Sequence, residues 1–296
     1  MMEDIMLSTV SITTPILLAA LGGMFSNLVN ELNIGLEGLM TISAFFSVLV
    51  ASSSGNLFLG IICGMGVSIV FSLIMILFRL KLKGNIFILG LATNLLASGL
   101  VSFLGIKLLG SKGTVVFKNV SKMAVVFIEN NSENAFSRIL SGFNIFDYIS
   151  FISVIISFFI LYKTSHGFHM RATGLSKKTA INVGINVNKN KIVAYLLCGV
   201  LCGLSGASLS ISVSSFTAGI TNGRGWIALV AVILGRNNPI GILLASLLFG
   251  LTTAISSVLQ TGTEISPKLL MMIPFIVTLI GLIFSSLNKG KKTEGI

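Results

Sequence analysis

Charged residues are scarce in this chain. They make up 10% of its 296 residues, whereas hydrophobic residues make up 54%. In a soluble globular domain about a quarter of the residues are charged, so the composition excludes that class of protein. The mean hydropathy of +0.99 is typical of a chain that lies in a membrane. At about 20 apolar residues per span plus loops, this length allows about nine membrane-spanning helices.

Motifs for catalysis and metal binding are missing as well. No G-x-x-x-x-G-K-[ST] motif is present, so the chain does not bind ATP through a P-loop. His166 and His169 have no third ligand nearby, and zinc needs three or four, so we expect no metal site. The three cysteines lie inside apolar stretches and indicate packing rather than disulfides. We therefore predict a protein that is not an enzyme and holds no cofactor.

The apolar stretches predict an all-α integral membrane protein of about 8–10 transmembrane helices, some of them short or broken. We treat residues 1–296 as one transmembrane domain with a long extracellular loop at 107–145. The predicted spans lie at about 5–28, 37–54, 57–78, 85–106, 146–162, 192–212, 225–235, 239–259 and 268–287.

One polar stretch, residues 163–191, interrupts the apolar spans; we call it the island. It holds six of the twenty Lys and Arg residues and no Asp or Glu. Basic loops between spans face the cytoplasm, so the island predicts an outer N-terminus and a cytoplasmic C-terminus. This topology explains the net charge of +11 without nucleic acid as a partner. Within the island, Met170–Ala180 is compatible with a short amphipathic helix broken near Gly174, as part of either a plain solvated loop or a docking element.

Two Gly-rich polar segments, 30–38 and 217–225, begin apolar helices. Irregular backbone at membrane depth is tolerated only where protein covers it or where it lines a wet cavity. In the predicted topology the first helix starts inside and the second starts outside. This is the pattern of an inverted repeat, in which broken helices mark the transport path.

Five polar residues are candidates for a translocation path. Asn33, Glu37, Asn222 and Arg224 lie in these two segments, and Asn94 lies inside an apolar span. Charge at membrane depth is costly and faces a cavity or a partner. Alternatively, Glu37 and Arg224 lie at the membrane interfaces, where charge costs little, and Asn94 only forms a hydrogen bond between helices.

Several stretches, taken in order, resemble a known family. They are PILLAALGGMFSNLVNELNIGLEGLM, GNIFILGLATNLLASGLVSFLG, MRATGLSKKTAINVGINVNKNKIVAYLLCGVLCGLSGA and GRGWIALVAVILGRNNPIG. The chain resembles permease subunits of bacterial ABC importers of the ribose and branched-chain amino-acid type. It is most similar to the smaller permease of nucleoside (guanosine-type) importers. Glu31 departs from the pattern, because an apolar or small residue is expected there.

The resemblance implies a multi-pass permease of the bacterial cell membrane that pairs with a second permease. It also implies cytosolic ATP-binding subunits, which hold ATP and Mg, and an extracellular substrate-binding lipoprotein. The segment that couples to the ATPase would include Met170, Arg171, Ala172, Gly174, Lys177, Lys178 and Ala180. The sparsely charged spans favour a neutral solute, with a nucleoside first and a simple sugar of the ribose type second. A self-contained secondary transporter is the alternative mechanism, although only Glu37 could serve as its coupling-ion site.

Overall fold

A computed structural model describes residues 2–110, 113–117, 120, 142–262 and 276. The described residues form ten helices and two short strands. The helices are α1 (Met2–Leu28), α2 (Leu36–Ser54), α3 (Leu57–Lys81), α4 (Ile86–Leu109), α5 (Ile145–Lys163), α6 (Ser165–Leu175), α7 (Lys177–Asn182), α8 (Val187–Val213), α9 (Arg224–Leu234) and α10 (Pro239–Gly262). The strands β1 (Val115–Val116) and β2 (Ser215–Phe216) pair antiparallel, with Val115 opposite Phe216.

Seven of these helices are long and apolar enough to cross a membrane, namely α1 to α5, α8 and α10. The prediction of an all-α integral membrane protein is therefore confirmed. Helix α9 has 11 residues, which at 1.5 Å per residue cover about 16 Å, roughly half of the hydrocarbon core. The predicted span at 268–287, most of the loop at 107–145 and the C-terminus lie outside the described residues.

Polar caps set where the helices begin. Asn56, after the left-handed Gly55, accepts hydrogen bonds from the amides of Phe58 and Leu59 and so starts α3 directly after α2. Asn85 caps α4 through the amide of Phe87, and Asn186 caps α8 through the amide of Lys189. These side chains satisfy amides that have no partner inside the helix.

Helix α8 lies at the centre of the bundle, against α1, α2 and α3. Small residues allow this close packing. A Cβ atom on Gly199 would lie 2.7 Å from the Cα atom of Ile69, and one on Gly203 would lie 2.6 Å from the Cα atom of Met65. Helices α3 and α4 in contrast expose most of their apolar side chains, as expected of surfaces that face lipid or another subunit.

The two halves of the fold repeat one order of elements with opposite direction. Helices α1 and α8 each have 27 residues, and each is followed by a non-helical segment and a further helix, α2 or α9. Helix α1 ends against the island, because the carbonyl group of Leu28 lies beside Gly174, whereas α8 begins at the island. The two long helices therefore run in opposite directions, in agreement with the predicted inverted repeat.

Candidate functional site

The first broken segment, residues 29–35, is held by buried polar side chains. Asn33 is fully buried; its Oδ1 accepts a hydrogen bond from the amide of Gly35 (2.8 Å), and its own amide donates to Ser26 Oγ (3.1 Å). Its Nδ2 group donates to Cys198 Sγ of α8 (3.4 Å). Asn33 was predicted to line the path, and the structure places it inside the protein as the residue that shapes this turn.

Asn94 of α4 supports the start of α2. Its Oδ1 accepts from the amide of Gly38 (2.7 Å), and its Nδ2 donates to the carbonyl of Ile34 (3.1 Å). Both backbone groups would otherwise lack partners at a helix start within the membrane. The geometry is that of the interhelical hydrogen bond weighed above as the alternative to a path residue.

Glu37 joins the two broken segments. The second broken segment comprises residues 214–223 and leads into α9. Glu37 Oε1 accepts from Thr221 Oγ1 (2.6 Å) and from the amide of Gly223 (2.9 Å), and its Oε2 accepts from the amide of Gly225 (2.7 Å). A carboxylate at the N-terminus of α9 satisfies two amides and complements the helix dipole. We call this contact the Glu37 junction.

The remaining two candidates flank the Glu37 junction. Arg224 is partly buried, and its Nη1 group donates to the carbonyls of Ile220 (3.1 Å) and Thr221 (3.5 Å). Asn222 is exposed and has a left-handed backbone with φ of 45°. The structure therefore brings Glu37, Asn222 and Arg224 together, while Asn33 and Asn94 lie around the first broken segment.

The island folds into α6, α7 and the first turn of α8. The break between α6 and α7 lies at Ser176, two residues after Gly174, and Ser176 caps α7 through the amide of Thr179. Gly174 itself belongs to α6 and allows a close contact, because a Cβ atom there would overlap the carbonyl oxygen of Leu28 at the end of α1. The island is thus packed against the first broken segment.

The seven predicted coupling residues divide into three sets by their burial. Met170 and Ala180 are each 1% exposed and pack against the bundle. Arg171, Ala172 and Gly174 are partly buried, and the Arg171 guanidinium lies over the ring of Tyr162 at 5.2 Å. Only Lys177 and Lys178 are exposed.

Three apolar residues that the sequence prediction missed are exposed in the same short stretch, 175–183, as the lysines. Leu175 is 88% exposed, Val183 68% and Ile181 54%. We call Leu175, Lys177, Lys178, Ile181 and Val183 the island surface. Its only sequence signal is the presence of large apolar residues inside a polar stretch.

A buried charge cluster links the island to the first broken segment. Glu31 is 3% exposed and accepts from Arg79 Nε at 2.9 Å and from Lys191 Nζ. Its backbone carbonyl accepts from the hydroxyl of Tyr195 (3.0 Å). Lys191 is the last residue of the island and Arg79 lies at the end of α3, so three elements meet at Glu31. Its two basic partners explain why a charge is tolerated where the resemblance led us to expect an apolar or small residue.

In the part of the chain that the structure describes, no group of three or more His, Cys, Asp or Glu residues could hold a metal ion.

A family model described as the permease component of a branched-chain amino acid transport system matches residues 5–282. The chain belongs to this permease family. The permease is 30% identical to the nucleoside ABC transporter permease protein NupC of Lactococcus lactis, over 96% of this chain and 93% of that protein. It is 31% identical to the guanosine ABC transporter permease protein NupQ of Bacillus subtilis, over 93% of this chain and 89% of that protein.

The same two bacteria each have a second permease that matches a shorter stretch. NupB of L. lactis aligns with 41% of this chain and NupP of B. subtilis with 34%. A solved ABC transporter, assigned to the metal-chelate type and in an inward-facing conformation, covers 95% of this chain at a TM-score of 0.54 and 17% identity. This structure supports the fold alone.

These relatives confirm that the permease is a multi-pass subunit of an ABC transporter and not an enzyme. The paired permeases also support a partner permease. A self-contained secondary transporter is no longer needed as an alternative.

Proposed function

We propose that the permease forms the translocation path of an importer for a neutral solute, and that this solute is a nucleoside. The Glu37 junction carries the proposal, because it is where the two oppositely directed broken segments meet. Opposed broken helices are the elements that change access in transporters with inverted repeats. The relatives that cover nearly the whole chain are named for nucleosides and guanosine.

In this proposal, a separate cytosolic ATPase, which holds ATP and Mg, docks on the island surface. Exposed apolar side chains next to lysines are typical of a protein contact, and contacts of this kind are strongest where large apolar groups become fully buried. The island would then face the cytoplasm, together with the C-terminus. The second permease and an extracellular substrate-binding lipoprotein complete the proposed assembly.

The coupling route runs from the island surface to the path. Gly174 contacts the end of α1, and Lys191 contacts Glu31 in the first broken segment. That segment leads into α2, whose Glu37 holds the second broken segment. Movement of the island upon ATP binding would thus displace α2 relative to α9 and open or close the Glu37 junction.

Replacement of Leu175 by Asp tests the docking. A buried charge would prevent assembly with the ATPase, so solute-stimulated ATP hydrolysis should fall at least about ten-fold, by about 1.4 kcal/mol or more. Leu82→Asp is a matched control, since Leu82 is 69% exposed at the end of α3 and outside the island. Normal ATPase coupling in Leu175→Asp, or an equal loss in Leu82→Asp, would contradict docking at the island surface.

The cargo is tested by uptake of labelled guanosine, adenosine and ribose in cells with and without this chain. We expect nucleoside uptake to depend on the chain. A simple sugar of the ribose type is the second candidate, and loss of ribose uptake with unchanged nucleoside uptake would establish it instead.

A further inference from the structure

A polar cavity of about 400 Å³ opens at the end of the bundle opposite the island. We call it the outer cavity, since the island is expected to face the cytoplasm. Its walls come from α1, the start of α5 and the end of α8, and its lining includes Arg224. The lining residues are Ser11, Ile12, Thr14, Pro15, Gly142, Asn144, Phe146, Asp147, Ser208, Leu209, Ser212, Val213 and Arg224.

The size and depth of the outer cavity suit a small solute. Binding pockets for small molecules measure about 300–1,000 Å³. Thr14 lies nine residues after Ile5, where the first span begins, and this corresponds to about 14 Å along the helix. The cavity therefore reaches well into the membrane.

Asp147 anchors one wall of the outer cavity from a buried position. It is 2% exposed; one carboxylate oxygen accepts from Thr14 Oγ1 (2.5 Å) and the other from the amide of Asn144 (2.9 Å). Asn144 Nδ2 in turn donates to Ser212 Oγ (2.9 Å) at the end of α8. The buried carboxylate thus orients a chain of polar groups that ends at the exposed Ser212 hydroxyl.

Arg224 forms the donor side. Its Nη1 group donates to two carbonyls of the second broken segment, and no hydrogen bond of its Nε or Nη2 group to another described residue is found. Asp147 and Arg224 line one cavity but form no ion pair with each other among the described residues. The cavity therefore presents a guanidinium donor on one wall and the Ser212 hydroxyl, which can donate or accept, on another; this arrangement suits a solute with both kinds of group.

Arg224 also connects the outer cavity to the path. It lies between Gly223 and Gly225, whose amides are held by Glu37. A solute that contacts Arg224 would therefore contact the N-terminus of α9, which is the element held by the Glu37 junction.

We propose that the outer cavity is a solute-binding site within this single chain, which holds a neutral, hydroxylated solute of the nucleoside type between Arg224 and the Ser212–Asn144–Asp147 chain. This inference rests on the proposed function. It assigns cargo contact to Asn144 and Ser212 and a positioning role to the buried Asp147, none of which was among the path candidates, and it keeps only Arg224 of the original five.

The test is concentration-dependent guanosine uptake by cells that produce the full transporter, at matched membrane amounts. Ser212→Phe fills the cavity from an exposed position and should reduce guanosine uptake at least ten-fold. Ser53→Phe is the matched control, since Ser53 is exposed at the end of α2, and it should stay within two-fold of the unaltered chain. Unchanged uptake in Ser212→Phe, or an equal loss in Ser53→Phe, would overturn the site.

A second pair of variants tests whether the solute is neutral. Gln keeps hydrogen-bond donors at position 224 and Met does not, while both remove the charge. A neutral solute predicts that KM rises several-fold more in Arg224→Met than in Arg224→Gln. Equal increases would indicate a charged solute and overturn the proposed class. If the unaltered transporter moves no nucleoside, the proposed cargo fails, whereas normal nucleoside uptake with unaffected Ser212→Phe refutes only the cavity.

Discussion

The two broken segments occupy equivalent places in the repeat but differ in how they are held. In the first broken segment only Asn30 is fully exposed, whereas Ala218, Gly219 and Asn222 are exposed in the second. The first has one residue with positive φ, Asn30. The second has four, namely Ser214, Gly219, Asn222 and Gly223.

The partners of the two segments differ as well. The first is bound to α3, α4 and α8 through the buried side chains of Glu31 and Asn33 and the partly buried side chain of Asn94. The second is held at its strand β2 by pairing with β1, and next to α9 by Thr41 and by the carboxylate of Glu37, both supplied by the helix that follows the first segment. We infer that the first segment moves with the island as one tightly bonded unit, and that the second segment can separate from Glu37 next to the path.

Removal of the Glu31 charge should have the largest effect on stability. Glu31→Gln leaves Arg79 and Lys191 without their buried partner, and loss of one member of a buried ion pair costs about 3–5 kcal/mol. Because Arg79 is 35% exposed, we expect a loss of stability at the lower end of this range, about 3 kcal/mol. Thermal unfolding of the purified permease measures this loss.

The double variant Glu31→Gln with Lys191→Met should recover part of this loss, since one unpaired charge is then gone. Equal stability of Glu31→Gln and the unaltered chain would show that the first segment does not depend on this cluster.

Replacement of Glu37 should reduce transport more than replacement of Glu31 does. In Glu37→Gln one of two acceptor oxygens is lost, and an unpaired buried amide costs about 1–3 kcal/mol. We expect at least a ten-fold loss of uptake at normal membrane amounts. Thr221→Ser retains the hydroxyl group that donates a hydrogen bond to Glu37, so this variant should transport normally. A similar loss of uptake in Thr221→Ser would contradict a specific role of the Glu37 carboxylate.

Replacement of Gly174 separates the island from the first segment. In Gly174→Ala the added methyl group displaces Leu28, and overpacking of this kind costs about 1–3 kcal/mol. ATP hydrolysis should then lose its stimulation by solute. Gly99→Ala is the control, because no atom lies within 4 Å of a Cβ atom at Gly99; this variant should be neutral or slightly stabilised. Unchanged stimulation of ATP hydrolysis by solute in Gly174→Ala would contradict the proposed coupling route through Gly174 and Leu28.

The smallest effect is expected at the left-handed asparagines. Asn30 and Asn222 have φ values of 57° and 45°, and a left-handed backbone costs about 1–2 kcal/mol in residues other than Gly, with Asn tolerated best. Replacement of either by Ala should therefore cost about 1 kcal/mol or less. A much larger transport defect for Asn222→Ala than for Asn30→Ala would sharpen the contrast between the segments.

The sequence predicts the helices of this fold well and their contacts poorly. Apolar length located the described spans, and charge marked the island, because both signals are local. Glu31, Arg79 and Lys191 are separated by 48 and 160 positions, and no local pattern pairs them. Glu37 was recognised as unusual, but its partners lie in the second repeat. Asp147 has no local signal at all, since its partner Thr14 lies on another helix.

A disulfide across the Glu37 junction tests the central claim most directly. The hydroxyl oxygens of Thr41 and Thr221 are 3.2 Å apart, so cysteines at both positions are close enough for a bond to be attempted. In the oxidised double variant Thr41→Cys/Thr221→Cys we expect uptake to stop and to return upon reduction, while each single variant transports under both conditions. Full uptake by a transporter shown to be cross-linked would contradict the claim that the two broken segments separate during transport.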